Sequence, residues 1–477
     1  MHTTTRLRIL LVRPRQPFQS IGLRHLMICN PIELEYVGAT ALDHDVRLFD
    51  GILERDLDGE LRRFQPDLVA TSCYINAVDE VAAIIAATRR HAPRALVVVG
   101  GVHATVIPED FVPGGPDLLV RGDGMAAFRA VVDRLARGER DFAGIPGVVA
   151  RADLEAGAPG AVPTYVHPDD LPFPARELTR RHWPSYYYVY HRPVTMMKTS
   201  FGCPYRCTFC FCWQITQGQY AFRSPGSIAD ELERIWASDI YIVDDDFLLH
   251  EQRLTDFCDI VRRRDIRKGY FCYGRSDFIA DHPALMKDLS QAGLKAVVVG
   301  VESVHDDELD YFEKRLDPAV HERAFQVLRD AHVDIYASFI LNPWWGDQQF
   351  RRLEQYILKN KLYYVILQPL MPLPGTLLWD EWRDRVFISR KHHAVWDISH
   401  LALPSRLPMW RYYGWMMRMY LRSYFSLWRL PELNLRTMPP IISREVPNVL
   451  MGGLKVLGGL ATAPLHYSAD ERAAFRR

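Results

Sequence analysis

Three cysteines fall in one short run: Cys203, Cys207 and Cys210, in Gly202-Cys-Pro-Tyr-Arg-Cys-Thr-Phe-Cys210, with the spacing C-x3-C-x2-C. Thiolates are the ligands of iron–sulfur clusters, and a ferredoxin-type four-iron cluster takes four of them. Three grouped thiolates hold three irons and leave the fourth open to a small ligand, which points to chemistry more than to structure. A zinc site is the competing reading. It needs a fourth ligand, and no C-x2-C or H-x3-H partner follows at the usual spacing. Gly202 and Pro204 help the chain turn around a metal, while Cys212 is out of step with the set and is expected to pack as a small apolar residue.

These cysteines need a scaffold. Strands are predicted at 195–199, 239–244, 268–273, 296–301, 335–341 and 364–370, alternating with helices. Six βα units fit a partial barrel over 195–385, in which functional groups gather at the carboxyl ends of the strands. The cysteine loop follows the first strand. Asp244-Asp245-Asp246 follows the second, Arg275 the third, Gly300-Val-Glu302-Ser303 the fourth and Gln368-Pro-Leu-Met-Pro-Leu-Pro-Gly-Thr376 the sixth. Plainer roles compete. The aspartates suit a helix cap, and Arg275 suits a surface ion pair. Glu302 is harder to dismiss, because a carboxylate at a buried strand end needs a partner.

Residues 1–150 read as an open α/β domain, with strands at 7–12, 46–50, 68–72, 95–99 and 117–120 and a helix over 78–90. Near-continuous apolar strands alternating with helices indicate a buried, doubly wound parallel sheet. Such sheets bind ligands outside their carboxyl ends. There stand Thr71-Ser72, Gly100-Gly101-Val-His103 and Gly122-Asp123-Gly124. Residues 151–194 read as a linker whose aromatic stretch Trp183–Tyr190 is either a packed connector or a cavity wall. Residues 386–477 read as a mainly helical region. It contains an aromatic, basic stretch over 410–428 with Arg411, Arg418, Arg422 and Arg429, and later the pairs Gly452-Gly453 and Gly458-Gly459.

Bulk properties narrow the class. At 477 residues, 48% apolar and 24% charged, the chain is globular with room for two or three domains. A formal net charge of zero gives no electrostatic case for nucleic acid. No repeat of solenoid period is present. No signal-peptide pattern and no apolar run of ~20 residues is seen, so the expectation is a cytoplasmic protein without a spanning helix. Eight cysteines in strand-like and helix-like surroundings suit a reducing compartment.

The cysteine spacing, with Phe209 just before the last cysteine and a six-unit barrel behind it, resembles the radical S-adenosylmethionine (SAM) superfamily. An α/β domain placed before that barrel resembles the cobalamin-binding subgroup. The resemblance spans about residues 7–385 and implies a Rossmann-like cobalamin domain, a partial (β/α)6 barrel and a helical C-terminal region. It implies three cofactors: a [4Fe-4S] cluster on Cys203, Cys207 and Cys210, SAM, and cobalamin. Asp245, Arg275, Glu302 and Ser303 are then expected around SAM, with Arg275 as a fork for its carboxylate. Thr71, Ser72, Gly100, Gly101, His103, Gly122, Asp123 and Gly124 are expected around cobalamin. The Asp-x-His-x-x-Gly motif that supplies a lower axial histidine in some cobalamin enzymes is absent, and His103 lacks its frame. The chain also departs from the family at Leu341-Asn-Pro343, where many relatives carry a glycine.

The implied activity is methyl transfer to an unactivated carbon, started by a 5′-deoxyadenosyl radical and completed from methylcobalamin. Oxidation or ring formation of the anaerobic porphyrin-cyclase type is the alternative within the family. A cobalamin or iron–sulfur sensor without turnover is the alternative outside it. The partners implied are a small-molecule substrate and an electron donor such as flavodoxin or ferredoxin. The basic aromatic stretch over 410–428 is either a packing face or a peripheral membrane contact, and the latter would favour a hydrophobic substrate.

Overall fold

The computed structural model describes residues 5–22, 25–112, 114–157, 166–313, 318–424 and 440–476. The chain divides into two units, 1–18 with 30–183 and 19–29 with 184–477.

The first unit is a six-stranded sheet. Its strands are β1 (Arg8–Arg13), β2 (Asp45–Asp50), β3 (Leu68–Ser72), β4 (Leu96–Gly100), β5 (Leu118–Val120) and β6 (Val148–Ala150). The spatial order is β2-β1-β3-β4-β5-β6, all parallel except β6. The antiparallel edge is a departure from the predicted all-parallel sheet. Three residues between glycine-rich turns carry too little pattern to read as a strand. Strand order reverses between β1 and β3, which makes their carboxyl ends the switch point where open α/β sheets bind ligands. Apolar side chains fill both faces of the sheet. Leu7, Ile9, Leu11, Leu68 and Phe128 pack on one side, and Leu10, Val12, Phe49 and Val69 on the other.

Residues 151–183, read as linker from the sequence, belong to this unit wherever they are described. The hydroxyl of Thr179 donates to the buried Glu35 carboxylate at 2.7 Å, and Arg181 donates to the Leu48 carbonyl at 2.8 Å. Burial raises the Glu35 carboxyl pKa, opposed by Arg176 and by bonds from Thr179 and Asn30.

The second unit holds the barrel. Its strands are β7 (Val194–Met197), β8 (Asp239–Ile242), β9 (Gly269–Gly274), β10 (Leu294–Glu302), β11 (Asp334–Leu341) and β12 (Tyr364–Pro369). They pair in chain order and in parallel. The aromatic stretch before β7 is neither a plain connector nor a wall beside the cysteines. Tyr188 inserts among Tyr241, Phe271 and Tyr336, with centroids at 4.9, 4.8 and 6.0 Å. Tyr336 stacks on Tyr364 at 4.6 Å. This aromatic floor fills the barrel interior beneath the strand ends.

The helix Met409–Tyr424 covers β11 and β12. Tyr420 accepts a bond from the Leu367 amide at 3.0 Å, and Tyr424 donates to the Val365 carbonyl at 3.2 Å. Side-chain hydroxyls thus satisfy part of an open sheet edge. The arginines of this helix face acids: Arg411 meets Asp347 at 2.6 Å, and Arg418 and Arg422 meet Glu354 at 2.8 and 2.9 Å. Two carboxylates face three arginines, so most of the stripe's charge is paired within the fold, which favours the packing reading. Arg429 lies outside the described residues. Within the helix Pro440–His466, residues Asn448–His466 have a mean hydropathy of 1.2, long and apolar enough to cross a membrane. Length and composition alone do not place it in one.

Candidate functional site

The cysteine loop leaves β7 through a two-residue ribbon, Ser200–Phe201 against Ala221–Phe222. Gly202 has φ +81°, and a β-carbon there would collide with the Gln219 carbonyl oxygen, so only glycine closes the neck. Inside the loop, the Cys207 carbonyl accepts from the Cys210 amide at 3.1 Å and from the Trp213 indole at 3.3 Å. Cys207 is buried, whereas Cys203, Cys210 and Cys212 are partly exposed.

Below the loop sits Asp244. It accepts bonds from the amides of Thr199 and Ser200, at 2.6 and 3.0 Å, and from the Thr199 hydroxyl. Arg253 completes the anchor at 3.5 Å from Asp244, its guanidinium lying over Phe222 and Phe247. The helix that follows, Glu251–Arg263, has His250 at its N-cap and no side-chain cap bond. Helix capping is therefore not what Asp244–Asp246 do.

Charged groups from three further strand ends surround the thiols. Burial pushes the Cys203 thiol up to about 12, and the nearby Asp246 and Asp245 charges add to this. Bonds from Cys212 hold the Cys210 thiol below its usual value, against burial and the charges of Asp245 and Glu302. Cys212 donates a hydrogen bond to Cys210, which makes it a neighbour of the set and not mere apolar filler. Its own thiol is pushed up by that bond and by burial. Cys203 is a desolvated thiol beside carboxylates, and a cationic centre would offset that field and favour its thiolate, which fits a metal cluster.

Arg275 is 9% exposed, so it is no surface ion pair. Its guanidinium lies 3.8 Å over the Tyr205 ring, within the cysteine loop, and pairs with Asp277 at 2.9 Å. Glu302 stands at a shift of register between β10 and β11, with φ +65°. A glutamate in the left-handed region is uncommon, and such strain gathers at functional sites. Ser303 is engaged elsewhere: its hydroxyl donates to Glu308 and accepts from the His305 amide at 3.1 Å. These bonds shape the turn after β10. Thr376 caps the helix Leu377–Trp382, and the Leu378 amide reaches the Thr208 carbonyl at 3.0 Å, tying the sixth strand end to the cysteine loop.

Two residues here escaped the sequence reading. Tyr273, at the end of β9, keeps 39% of its surface accessible. Tyr241 donates to its hydroxyl at 2.6 Å. Glu308 gathers three donors, described below. An aromatic one position before a strand-end glycine was the sequence signal for Tyr273. Glu308 had none.

In the first unit the expected ligand residues converge on the carboxyl ends. The Ser72 hydroxyl donates to Glu33 at 3.1 Å. Gly101 has φ +97°, and a β-carbon there would lie 2.7 Å from the Cys73 amide nitrogen. The Cys73 amide bonds the Gly100 carbonyl at 2.9 Å, and the Gly122 amide the Thr105 hydroxyl at 3.1 Å, so three loops interlock. Asp123 accepts from the amides of Met125 and Val166, both at 3.3 Å, and burial raises its carboxyl pKa. Gly124, at φ +77°, starts the helix Met125–Ala136. Beside the ends of β1 and β2 a cavity of about 430 Å³, lined by Arg13, Phe49, Gly51 and Arg55, was not foreseen. His103 is 3% exposed, bonded through Nε2 to Asp110 at 2.8 Å, and packed edge-on against Phe111. A ring held this way serves the fold and does not fit an axial metal ligand.

Comparison with known proteins now decides the family. Residues 197–356 match the model of the radical SAM superfamily, and residues 20–132 that of the B12 binding domain. The chain belongs to the radical SAM proteins that carry a B12-binding domain. This radical SAM protein is 28% identical over 396 residues to the hopanoid C-3 methylase of Methylococcus capsulatus, covering 81% of this chain and 75% of that one. It is 26% identical over 405 residues to the anaerobic magnesium-protoporphyrin IX monomethyl ester cyclase of Cereibacter sphaeroides, covering 79% of this chain and 63% of that one. Its fold matches OxsB, a cobalamin-dependent S-adenosylmethionine radical enzyme, with a TM-score of 0.68 at 15% identity over 94% of this chain and 72% of that one. As an enzyme of this family it uses a [4Fe-4S] cluster, SAM and cobalamin.

Proposed function

We propose that the chain is a cobalamin-dependent C-methyltransferase acting on a small, largely apolar molecule. The observation that carries this is the convergence of three thiols with Asp245, Arg275 and Glu302 from three different strand ends. The methylase relative supports methyl transfer, since the likeness covers more of that protein's length than of the cyclase's. When bound, the cofactors supply a carbon-centred radical and a transferable methyl group.

The chain's own residues then divide the labour. Cys203, Cys207 and Cys210 hold the cluster, and Asp244 and Arg253 fix the loop that carries them. Arg275, braced by Asp277 and Tyr205, orients the SAM carboxylate, with Glu302 and Asp245 taking its other polar groups. Thr71, Ser72, Gly100, Gly101, Gly122, Asp123 and Gly124 form the cobalamin cradle, and His103 supports it from within the fold. Tyr273 faces the reaction space above an aromatic floor that excludes water and suits an apolar substrate. An electron donor of the flavodoxin or ferredoxin kind supplies reducing equivalents.

The test is anaerobic incubation of the reconstituted, reduced protein with methyl-labelled SAM and a panel of polycyclic terpenoids and tetrapyrroles. Label in the product together with 5′-deoxyadenosine is expected. The cyclase relative keeps one second reading open, and oxidised product without label would select it. No 5′-deoxyadenosine under any condition would select a sensor.

A further inference from the structure

The short helix Asp306–Tyr311 touches every strand end that frames the SAM region except those of β8 and β9. At its centre, Glu308 receives three donors. The Ser303 hydroxyl, just past β10, bonds one carboxylate oxygen. The Asn342 amide, just past β11, bonds the other at 2.9 Å, and the Trp345 indole reaches that same oxygen at 2.6 Å. The helix end meets the cysteine loop, where the Thr208 hydroxyl donates to the Tyr311 carbonyl at 3.5 Å and Phe209 packs edge-on against Phe312 at 5.4 Å. Tyr311 also reaches the segment after β12. Its hydroxyl donates to Glu381 at 2.6 Å, and its ring stacks on Trp382 at 5.6 Å.

Asn342 follows the end of β11, and its side-chain amide is a donor to Glu308. One carboxylate therefore couples the ends of β10 and β11 at the point where register shifts and Glu302 takes φ +65°. A left-handed glutamate persists only where its surroundings over-determine it, and Glu308 supplies that constraint through Ser303, the next residue.

We propose that Glu308 is a positioning residue for SAM, acting through Ser303 and Asn342 to hold Glu302 in its binding orientation. This rests on the reading that Glu302 contacts SAM. In this role Glu308 acts through its neighbours and not by contact with SAM or the cluster. Replacement by glutamine keeps one oxygen for Asn342 and Trp345 but puts an amide against Ser303, whose hydroxyl must then accept where it donated while it also accepts from the His305 amide.

The experiment is calorimetric titration of the full-length, cluster-reconstituted protein with SAM under anaerobic conditions. Electron paramagnetic resonance of the reduced cluster and iron content are measured alongside. Glu308→Gln is expected to raise the SAM Kd about tenfold, as loss of a partner behind a ligating group does. Iron per chain and Tm should stay near wild type, and the SAM-induced shift of the cluster signal should weaken at wild-type saturating concentration. Trp345→Phe, which deletes one donor and keeps the ring, is expected to move Kd the same way by less. A Glu308→Gln Kd within twofold of wild type overturns the proposal alone, as does loss of iron with unchanged affinity per cluster. Wild-type protein that binds no SAM overturns the Glu302 reading and the proposal with it.

Discussion

The two sets of strand ends in this chain solve different binding problems on one architectural theme. In the first unit, β3, β4 and β5 end in glycines and small hydroxyl residues. Gly101, Gly122 and Gly124 all have positive φ, and backbone bonds such as Cys73 to Gly100 and His103 to Cys73 tie the loops together. In the second unit, β7 to β10 end in thiols and charged side chains: Cys203, Cys207, Cys210, Asp245, Arg275 and Glu302. Backbone cradles suit a large ligand that must be approached closely over a wide area. Charged and thiol side chains suit a metal cluster and a small zwitterion that must be held by a few strong, directed contacts. Placing function at carboxyl strand ends is common to both, and residue type alone decides the chemistry.

Separating the two units by mutation is the sharpest way to break this comparison. The largest effect is expected from Cys203→Ala, which removes a cluster ligand. Iron content should fall and 5′-deoxyadenosine should vanish, while cobalt content stays at the wild-type level. Retained 5′-deoxyadenosine would mean that the thiols are not the ligand set. Next comes Gly101→Val. It places a side chain against Cys73 at φ +97°, at a local cost of about 1–3 kcal/mol. Bound cobalt should drop while iron and substrate-independent SAM cleavage persist. Equal loss of both metals would show that the units are not chemically separate.

The smallest effect is expected at Glu54, in the first unit but away from its strand-end glycines. Burial raises its pKa, yet bonds from His182, Arg181 and the Asp50 amide outweigh burial and hold the carboxyl at about 2. Its folded value lies below the usual 4.5, so its contribution is present above pH 4.5 and is lost as pH falls toward about 2. Glu54→Gln should flatten acid unfolding of the first unit in that window, as followed by circular dichroism, and leave iron content unchanged. An unaltered acid transition would remove Glu54 from the account of that unit's stability.

The six barrel strands, the cysteine loop and the strand-end positions of Asp245, Arg275 and Glu302 were legible in the sequence. Apolar periodicity and short-range spacing are local properties. What was not legible depends on long-range pairing. Asp244 reads as a helix cap until Thr199, 45 residues away, is seen to bond it. Glu308 is one more acid in Asp306-Asp-Glu-Leu until Asn342, 34 residues on, turns to it. The arginines of the helix Met409–Tyr424 read as a free basic stripe because Asp347 and Glu354 lie more than a helix away in sequence. Ser303 and His103 show the converse. Both sit where a ligand residue is expected, and both also bond within the fold, Ser303 to Glu308 and His103 to Asp110.

The central claim is that three cysteines leave one iron of the cluster open for SAM. Electron–nuclear double resonance of the reduced, reconstituted protein tests it directly, using SAM labelled with nitrogen-15 in its amino group. The account predicts a nitrogen hyperfine coupling to the cluster that is absent without SAM. A cluster signal with no such coupling at saturating SAM would contradict it.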